Sequence, residues 1–456
     1  MARPAIPTSG APDIAPGRLT VDEIERNFAD LHPPLSKSEA LIAADRCYFC
    51  FAAPCTAACP TGIDIPRFIQ SIRSGDIEGA AYAILSENIM GGMCARVCPT
   101  EVLCEEACVR NVHEEKPVDI GLLQRHATDP ILDAGRQLFT RAAPSGKRIA
   151  VVGGGPAALS CAHRLAWLGH EVAIFSRDGK LGGLNEYGIA AYKTPDDFAR
   201  REVEYILGIG GIDVASNVAL GRDLSLAKLC REFDAVFLAV GLAGVNRLGL
   251  ESEDLAGVVD AVRYIADLRQ ALDKSQLPVG RRVVVIGGGM TAIDVAVQSK
   301  RLGAEDVTIV YRRGREQMGA SVYEQDLAQS SGVRIRDWAR PVRLVGKEFV
   351  TRVEFEATRE GLDHRLEGTG ETFAMNADVV FKAIGQEIAW GELGAASAIL
   401  RVGDGRIVVD ANRKTSLDNV WAGGDCTAGG KDLTVTAVQD GKLAAQAIDQ
   451  YLKSDR

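Results

Sequence analysis

The chain has 456 residues, 46% of them hydrophobic and 25% charged, and a formal net charge of -9. That length exceeds what one hydrophobic core fills, so roughly two to four domains are expected. The acidic balance argues against nucleic acid or an anionic membrane surface as the main partner, and no window approaches the roughly 18 uninterrupted apolar residues that cross a bilayer.

Residues 1–19 carry Pro4, Pro7, Pro12 and Pro16 with little apolar periodicity, which predicts a mobile arm. The opening residues show no apolar stretch of the signal-peptide kind. Thr20-x-x-Glu23 and Ser36-x-x-Glu39 are capping-box patterns, so two helices are predicted before Cys47. The arm and the first helix together take residues 1–35.

Eight of the eleven cysteines then fall between Cys47 and Cys108. The first run is Cys47-x2-Cys50-x4-Cys55-x3-Cys59-Pro60, and the second is Cys94-x3-Cys98-Pro99-x4-Cys104-x3-Cys108. Short loops ending in Cys-Pro wrap thiolates around an iron-sulfur cube, and the last Cys of such a run ligates a second cube nearby. Structural zinc favours paired C-x2-C or His-containing spacings; only Cys47 and Cys50 fit, and no His lies between the runs. Disulfides would need an oxidising compartment. The thiolates and the missing signal therefore indicate the cytoplasm. Ile65, Phe68, Ile69 and Ile72 recur at helical spacing before Gly75. Residues 36–140 thus read as a helical domain with two 4Fe-4S clusters between its helices.

Lys147 to Val152 is an apolar run ending in Gly153-Gly154-Gly155-Pro156-Ala157-Ala158. A strand, a G-x-G-x-x-A turn and a helix start let backbone N–H groups approach a pyrophosphate at a helix N-terminus. A second copy follows Arg281 to Ile286 as Gly287-Gly288-Gly289-Met290-Thr291-Ala292. Phe233 to Gly241 and Ala377 to Gly385 each read as a buried strand ending in a glycine crossing, and Asn419 to Asp425 as a strand that delivers a carboxylate before a helix from about Thr434. This order resembles the two-dinucleotide-binding flavoprotein fold. The fold class is therefore a helical iron-sulfur domain followed by an α/β Rossmann-like flavoprotein. The FAD-binding domain is split over 145–250 and 380–456, and an NAD(P)-binding domain is inserted at 251–379. The resemblance implies that Asp425 bonds the flavin ribityl chain. Such a sheet transfers hydride between nicotinamide and flavin.

The strand Glu171 to Phe175 ends at Ser176, where an acid usually holds the FAD adenosine ribose. A hydroxyl can still bond the ribose, without charge assistance. After Val307 to Val310 come Tyr311-Arg312-Arg313-Gly314-Arg315, where an NAD site usually shows an acid. Arginines there suit a 2'-phosphate and stack on adenine. No cysteine lies between Cys230 and Cys426, so the inserted domain has no Cys-x-x-Cys dithiol. Electrons on the flavin must then exchange with the clusters. Cys161 and Cys230 read as small core residues and His113, His126, His163 and His170 as structural ones.

From Cys47 to about Leu452 the chain resembles the flavin and iron-sulfur half of dihydropyrimidine dehydrogenase, which in bacteria is a separate electron-input subunit. The most specific segments are Asn88 to Thr100, continuing to Cys104 and Cys108, and Pro117 to Arg125. The small subunit of glutamate synthase has a similar architecture and is the alternative. The resemblance implies FAD contacts at Gly153, Gly154, Gly155, Pro156, Ala157, Gly183, Leu184, Lys193, Asp425 and Thr434. It implies nicotinamide contacts at Gly288, Gly289, Met290, Thr291, Arg312, Arg313, Ala383, Ile384 and Gly385. Lys193 replaces an arginine of the eukaryotic enzymes and Gly319 a phosphate-binding one, so NADH and NADPH both stay open. One cluster is implied on Cys47, Cys50, Cys55 and Cys108, the other on Cys59, Cys98, Cys104 and Gln124; thiolate counting alone would use Cys94 instead of Gln124. The implied partner carries FMN and further clusters in a heterotetramer that reduces uracil or thymine to the 5,6-dihydro product, and no residue of this chain is assigned a catalytic role.

Overall fold

The computed structural model describes Ile6, Ala11 and residues 13–454. Two compact units emerge. One comprises Met1–Leu31, Tyr187–Pro195 and Val245–Gln386, and the other His32–Glu186, Asp196–Gly244 and Glu387–Arg456. Among the described residues no helix is long and apolar enough to cross a membrane.

In the second unit, the strand Arg148–Val152 lies at the centre of a parallel sheet. Glu171–Ser176 and then Ile212–Ser216 flank it on one side, Ala235–Leu238 and then Val420–Ala422 on the other. This is the doubly wound order, whose crevice opens where the chain reverses direction at the end of the central strand. The helix Pro156–Trp167 leaves that point, and the helix Thr434–Ser454 packs along it. Gly441 makes the approach possible, since a Cβ there would lie 2.2 Å from the Ala157 carbonyl. The Ser160 hydroxyl donates to the Val438 carbonyl at 2.7 Å and locks the register.

The cysteine region belongs to the same unit. Both capping boxes form, on the helices Val21–Asn27 in the first unit and Lys37–Asp45 in the second. Ile65, Phe68, Ile69 and Ile72 are all buried on the helix Ile65–Arg73, as their spacing predicts. Within residues 36–140, expected as a helical domain, Ala40, Ile65, Phe68, Ile69 and Leu123 form a core of their own, while other side chains of the region join the core of the FAD-type sheet. Leu85, Met90, Met93, Leu132 and Phe139 pack with Ile149, Leu159 and Val203. Burial of one such side chain is worth roughly 1.5–3 kcal/mol, so this seam fixes the helices to the sheet.

The first unit repeats the parallel order around the strand Arg282–Ile286, with Asp306–Val310 and Arg334–Arg336 on one side and Val379–Lys382 and Val258–Asp260 on the other. A separate antiparallel sheet of Ala339–Gly346, Val350–Glu360 and Leu366–Asn376 follows. The unit runs beyond the expected 251–379 to Val245 and Gln386, and takes in Tyr187–Pro195 and the N-terminal stretch as well. Pro4, Pro7 and Pro12 lie outside the described residues, but from Asp13 onward the predicted mobile arm is bonded structure. Ile14 and Ala15 pair with Gly280 and Val279, and the Gly17 N–H donates to Ser275. Ile14 finds both a strand partner and a place in the core, which a local reading of proline content cannot foresee.

Candidate cofactor sites

Cys47 follows the helix Lys37–Asp45, Cys55 lies on the short helix Pro54–Ala58, and Cys108 caps the helix Val109–Glu114. With Cys50 they line one cavity, closed by Pro54, Pro66 and Val118. Burial raises the Cys47 thiol, and it pushes Cys55 up to about 11, with Cys47 and Cys108 adding to the cost. Four cysteine sulfurs converge on one largely apolar cavity, as the thiolate ligands of a cluster require. That donor set fits an iron-sulfur cluster. Among the described residues no group of three or more His, Cys, Asp or Glu side chains is arranged to hold a single metal ion.

Cys59, Cys98 and Cys104 form a second group. A hydrogen bond with Cys94 raises the Cys98 thiol strongly, and burial and the charges of Cys94, Cys104 and Cys59 add to it. Burial likewise raises Cys104, helped by Glu105 and Cys59. Gln124 is buried on the helix Ile120–Asp133, and its Nε2 donates to the Gly91 carbonyl at 2.6 Å. That bond ties the amide nitrogen to the backbone at the start of the helix Gly91–Val97. The structure thus brings both candidates for the eighth ligand, Cys94 and Gln124, to the helix Gly91–Val97. What holds this helix carries no sequence signal. The buried Glu202 accepts from the Met93 N–H at 2.9 Å, and Arg96 forks onto Asp129 at 2.9 and 2.8 Å. Burial pushes Glu202 up to about 8.

At the flavin-type crevice, Gly153 has φ of +121°, and a Cβ there would lie 2.1 Å from the Ala239 carbonyl. Gly154, Gly155 and Pro156 open the helix, Ala157 is its second residue, and a Cβ on Gly183 would fall 2.7 Å from the Gly155 Cα. This is a cradle that side chains would fill, as a bound pyrophosphate requires. Ser176 is buried beside Gly154. The Thr434 hydroxyl donates to Asn185 at 2.7 Å, next to Leu184. Asp425 has its carboxyl pushed up to about 7 by burial; Asp432 and Asp440 add to the shift and Arg406 opposes it. A carboxyl so poorly compensated by the protein suits the hydroxyl donors of a ribityl chain. Asp440, which no motif singles out, accepts from the Gly424 N–H at 2.9 Å and pairs with Arg413 at 2.8 Å. Lys193 belongs to the other unit. Its ammonium pairs with Asp294 and Glu324, both at 2.7 Å. Burial opposes the charge, but the two carboxylates overcome it and hold the lysine well above its ordinary range.

The nicotinamide-type site mirrors the first. Gly287 has φ of +145° with the Ala383 carbonyl 2.1 Å from a Cβ, whereas a Cβ on Gly289 would meet nothing within 4 Å. Gly288 lies under the Tyr311 ring, and its carbonyl accepts from Ala320 at 3.0 Å. Met290 and Thr291 open the helix Met290–Arg301. Asn246, another residue without a sequence signal, donates to the Ile384 carbonyl at 3.2 Å and fixes the Ala383–Gly385 crossing. Arg312 and Arg313 are exposed, and Arg313 lines a surface pocket with Trp338, Glu360 and His364.

The remaining expectations concern core residues. Cys161 is buried, and Cys230 is partly buried. His170 bonds Asp449 at 3.0 Å and Ser145 at 2.7 Å, and burial pushes His163 down to about 3 against Phe139. His126 reaches the Leu35 carbonyl, and His113 is exposed.

Residues 24–136 match the family model described as dihydropyrimidine dehydrogenase domain II, 4Fe-4S cluster, and residues 147–441 match that of pyridine nucleotide-disulphide oxidoreductase. The chain is 34% identical to the NAD-dependent dihydropyrimidine dehydrogenase subunit PreT homolog of Salmonella typhi, covering 94% of this chain and 98% of that one. It is also 34% identical to the glutamate synthase [NADPH] small chain of Escherichia coli, over 95% of this chain and 96% of that one. FprA of Mycobacterium tuberculosis in complex with NADPH shares the fold, with a TM-score of 0.57 at 20% identity over 68% of this chain and 85% of that one.

Proposed function

The chain belongs to the pyridine nucleotide-disulphide oxidoreductase family, in the branch with an N-terminal 4Fe-4S domain, and from that premise we propose that it is the electron-input subunit of a dihydropyrimidine dehydrogenase. It is an NAD(P)H-dependent flavin and iron-sulfur oxidoreductase with FAD and 4Fe-4S cofactors. FAD held in the first cradle would supply hydride acceptance from a nicotinamide and one-electron transfer to iron-sulfur centres. The chain's own residues bind and orient. Gly153 to Ala157, Ser176, Gly183, Leu184, Asp425 and Thr434 hold FAD; Gly288 to Thr291, Arg312, Arg313 and Ala383 to Gly385 hold NADH or NADPH. Cys47, Cys50, Cys55 and Cys108 hold one cluster, and Cys59, Cys98, Cys104 and Gln124 the other.

One observation carries this reading: the four-cysteine cavity belongs to the same compact unit as the flavin-type cradle. No cysteine lies between Cys230 and Cys426 to offer a dithiol as an alternative acceptor. The electrons then pass to an FMN-bearing partner with further clusters, in a cytoplasmic heterotetramer that reduces uracil or thymine. The test is anaerobic purification followed by nicotinamide oxidation. The chain alone is expected to reduce an artificial acceptor and to leave uracil untouched until the partner is added. Uracil-dependent oxidation by partner-free protein would overturn the proposal.

A second reading, the small subunit of glutamate synthase, rests on the equal identity over nearly the whole of that chain. Adding each candidate partner separately, with uracil or with 2-oxoglutarate and glutamine, decides between them.

A further inference from the structure

We propose that Thr61 and Lys442 raise the reduction potential of the cluster that Cys59 holds, Thr61 by a hydrogen bond to the ligating sulfur and Lys442 by a buried positive charge behind it. The inference rests on the reading of Cys59 as a cluster ligand, which is common to both versions of the second ligand set.

Thr61 follows Cys59-Pro60 and is 2% exposed. Its Oγ1 lies 3.3 Å from the Cys59 Sγ. In a free thiol either atom could donate. A sulfur bound to iron has no proton to give, so the hydroxyl must be the donor. Behind this contact, the Lys442 Nζ donates to the Thr61 carbonyl at 2.7 Å and to Glu87 Oε2 at 2.8 Å. Lys442 is 6% exposed, while the Glu87 side chain is 45% exposed. Water therefore screens the carboxylate far more than the ammonium, and the positive charge facing Thr61 is not cancelled.

Lys442 is buried with two polar partners, the Thr61 carbonyl and the Glu87 carboxylate. It sits on the helix Thr434–Ser454, about two turns beyond the flavin-type residue Thr434, and reaches the cysteine loop through the Thr61 carbonyl. Adding an electron to a cluster makes it more negative. A donor on its sulfur and a cation behind its loop both favour that state, and both are established levers on cluster potential. The consequence is a cluster more easily reduced by electrons that arrive from the flavin.

The test uses the full chain loaded with FAD and iron-sulfur clusters, in the variants Thr61→Val, Lys442→Met and Lys442→Arg, with Cys59→Ser as the ligand control. Resonance Raman spectra of the oxidised protein report iron–sulfur stretches however low the potential lies, and protein-film voltammetry reports the potentials. Thr61→Val and Lys442→Met are each expected to disfavour reduction of one cluster about tenfold, which is about 59 mV for one electron, with iron content unchanged. Thr61→Val should also move an iron–sulfur stretch to higher frequency, and Lys442→Arg should keep the wild-type potential. Unchanged potentials and stretches in Thr61→Val and Lys442→Met, beside an altered signal in Cys59→Ser, would overturn the tuning role. So would loss of iron in Lys442→Met with the Thr61→Val spectrum unmoved, which would make the lysine a clamp on the loop. A Cys59→Ser variant with unaltered clusters would instead sink the ligand reading on which the inference stands.

Discussion

Replacing Asp425 with Asn tests the flavin site through its electrostatics. Burial holds this carboxyl near 7 against an ordinary 3.8. A shift of about three pH units corresponds to about 4 kcal/mol spent on keeping the charged form in the flavin-free protein, an upper limit because water reaches part of the side chain. The folded pKa lies above the unfolded one, so the group binds more protons in the folded state across the window from about 4 to about 7. Stability of the flavin-free chain from this group is therefore lost as pH rises through that window, and Asp425→Asn should melt higher than wild type above neutrality. Flavin binding has the opposite sign. Ribityl hydroxyls donating to the carboxylate favour its charged form, so affinity should strengthen as pH rises through 7 and become flat in the Asn variant. Loss of a hydrogen bond to a charged acceptor costs about 1.5–3 kcal/mol, or roughly ten- to 150-fold in Kd. Flavin titration by fluorescence quenching one unit either side of neutrality, with thermal melts of the flavin-free protein, measures both. Equal flavin affinity of variant and wild type, or a wild-type affinity independent of pH, would refute the assignment.

Three further outcomes can be checked directly. Cys94→Ala should retain about eight irons per chain while Gln124→Leu disturbs or loses a cluster, read by iron content and paramagnetic resonance; loss of a cluster from Cys94→Ala would give the eighth position to the thiolate. Replacing Arg312 and Arg313 together with Ala should raise the KM for NADPH roughly tenfold or more relative to NADH if they clamp a 2'-phosphate. Equal effects would leave them stacking on adenine alone. Gly287→Ala should lower Tm by the cost of a strained backbone and a carbonyl clash, on the order of 2 kcal/mol or more, whereas Gly289→Ala has open space for its Cβ and should fold normally yet raise the KM for the nicotinamide. A normal KM in Gly289→Ala would remove the pyrophosphate from that turn.

Features encoded within a few residues are legible in the sequence alone. Thr20 with Glu23 and Ser36 with Glu39 each close a capping box because donor and acceptor are three residues apart. The two glycine turns follow from strand, turn and helix being contiguous. Long-range contacts are not legible in this way. Asp440 supports Gly424 from the next helix, Glu202 reaches Met93 across 109 residues, and Lys442 reaches Thr61 across 381. Nothing near Glu202 or Lys442 in sequence distinguishes them from solvated charges. The antiparallel sheet within 339–376 is equally silent. The strand Leu366–Asn376 has no fully buried residue and carries Gly368 and Gly370 in its run, so no apolar face marks it in the sequence. Cys47, Cys50, Cys55 and Cys108 share one cavity as the family pattern implies, but spacing alone cannot partition the eight thiols.

The strand Ile14–Ala15 and the stretch Tyr187–Pro195 make the first unit a mosaic of three chain segments. Anyone transplanting coenzyme preference from one relative to another would meet this at the cloning stage. A cassette cut at Val245 and Gln386 leaves Val279–Gly280 without its paired edge and strips Ile14, Ile24, Phe28 and Tyr192 from the apolar interior they complete. Chimeras joined at those two points should be prone to aggregation through the bared strand, whereas chimeras that carry all three segments keep the interior whole.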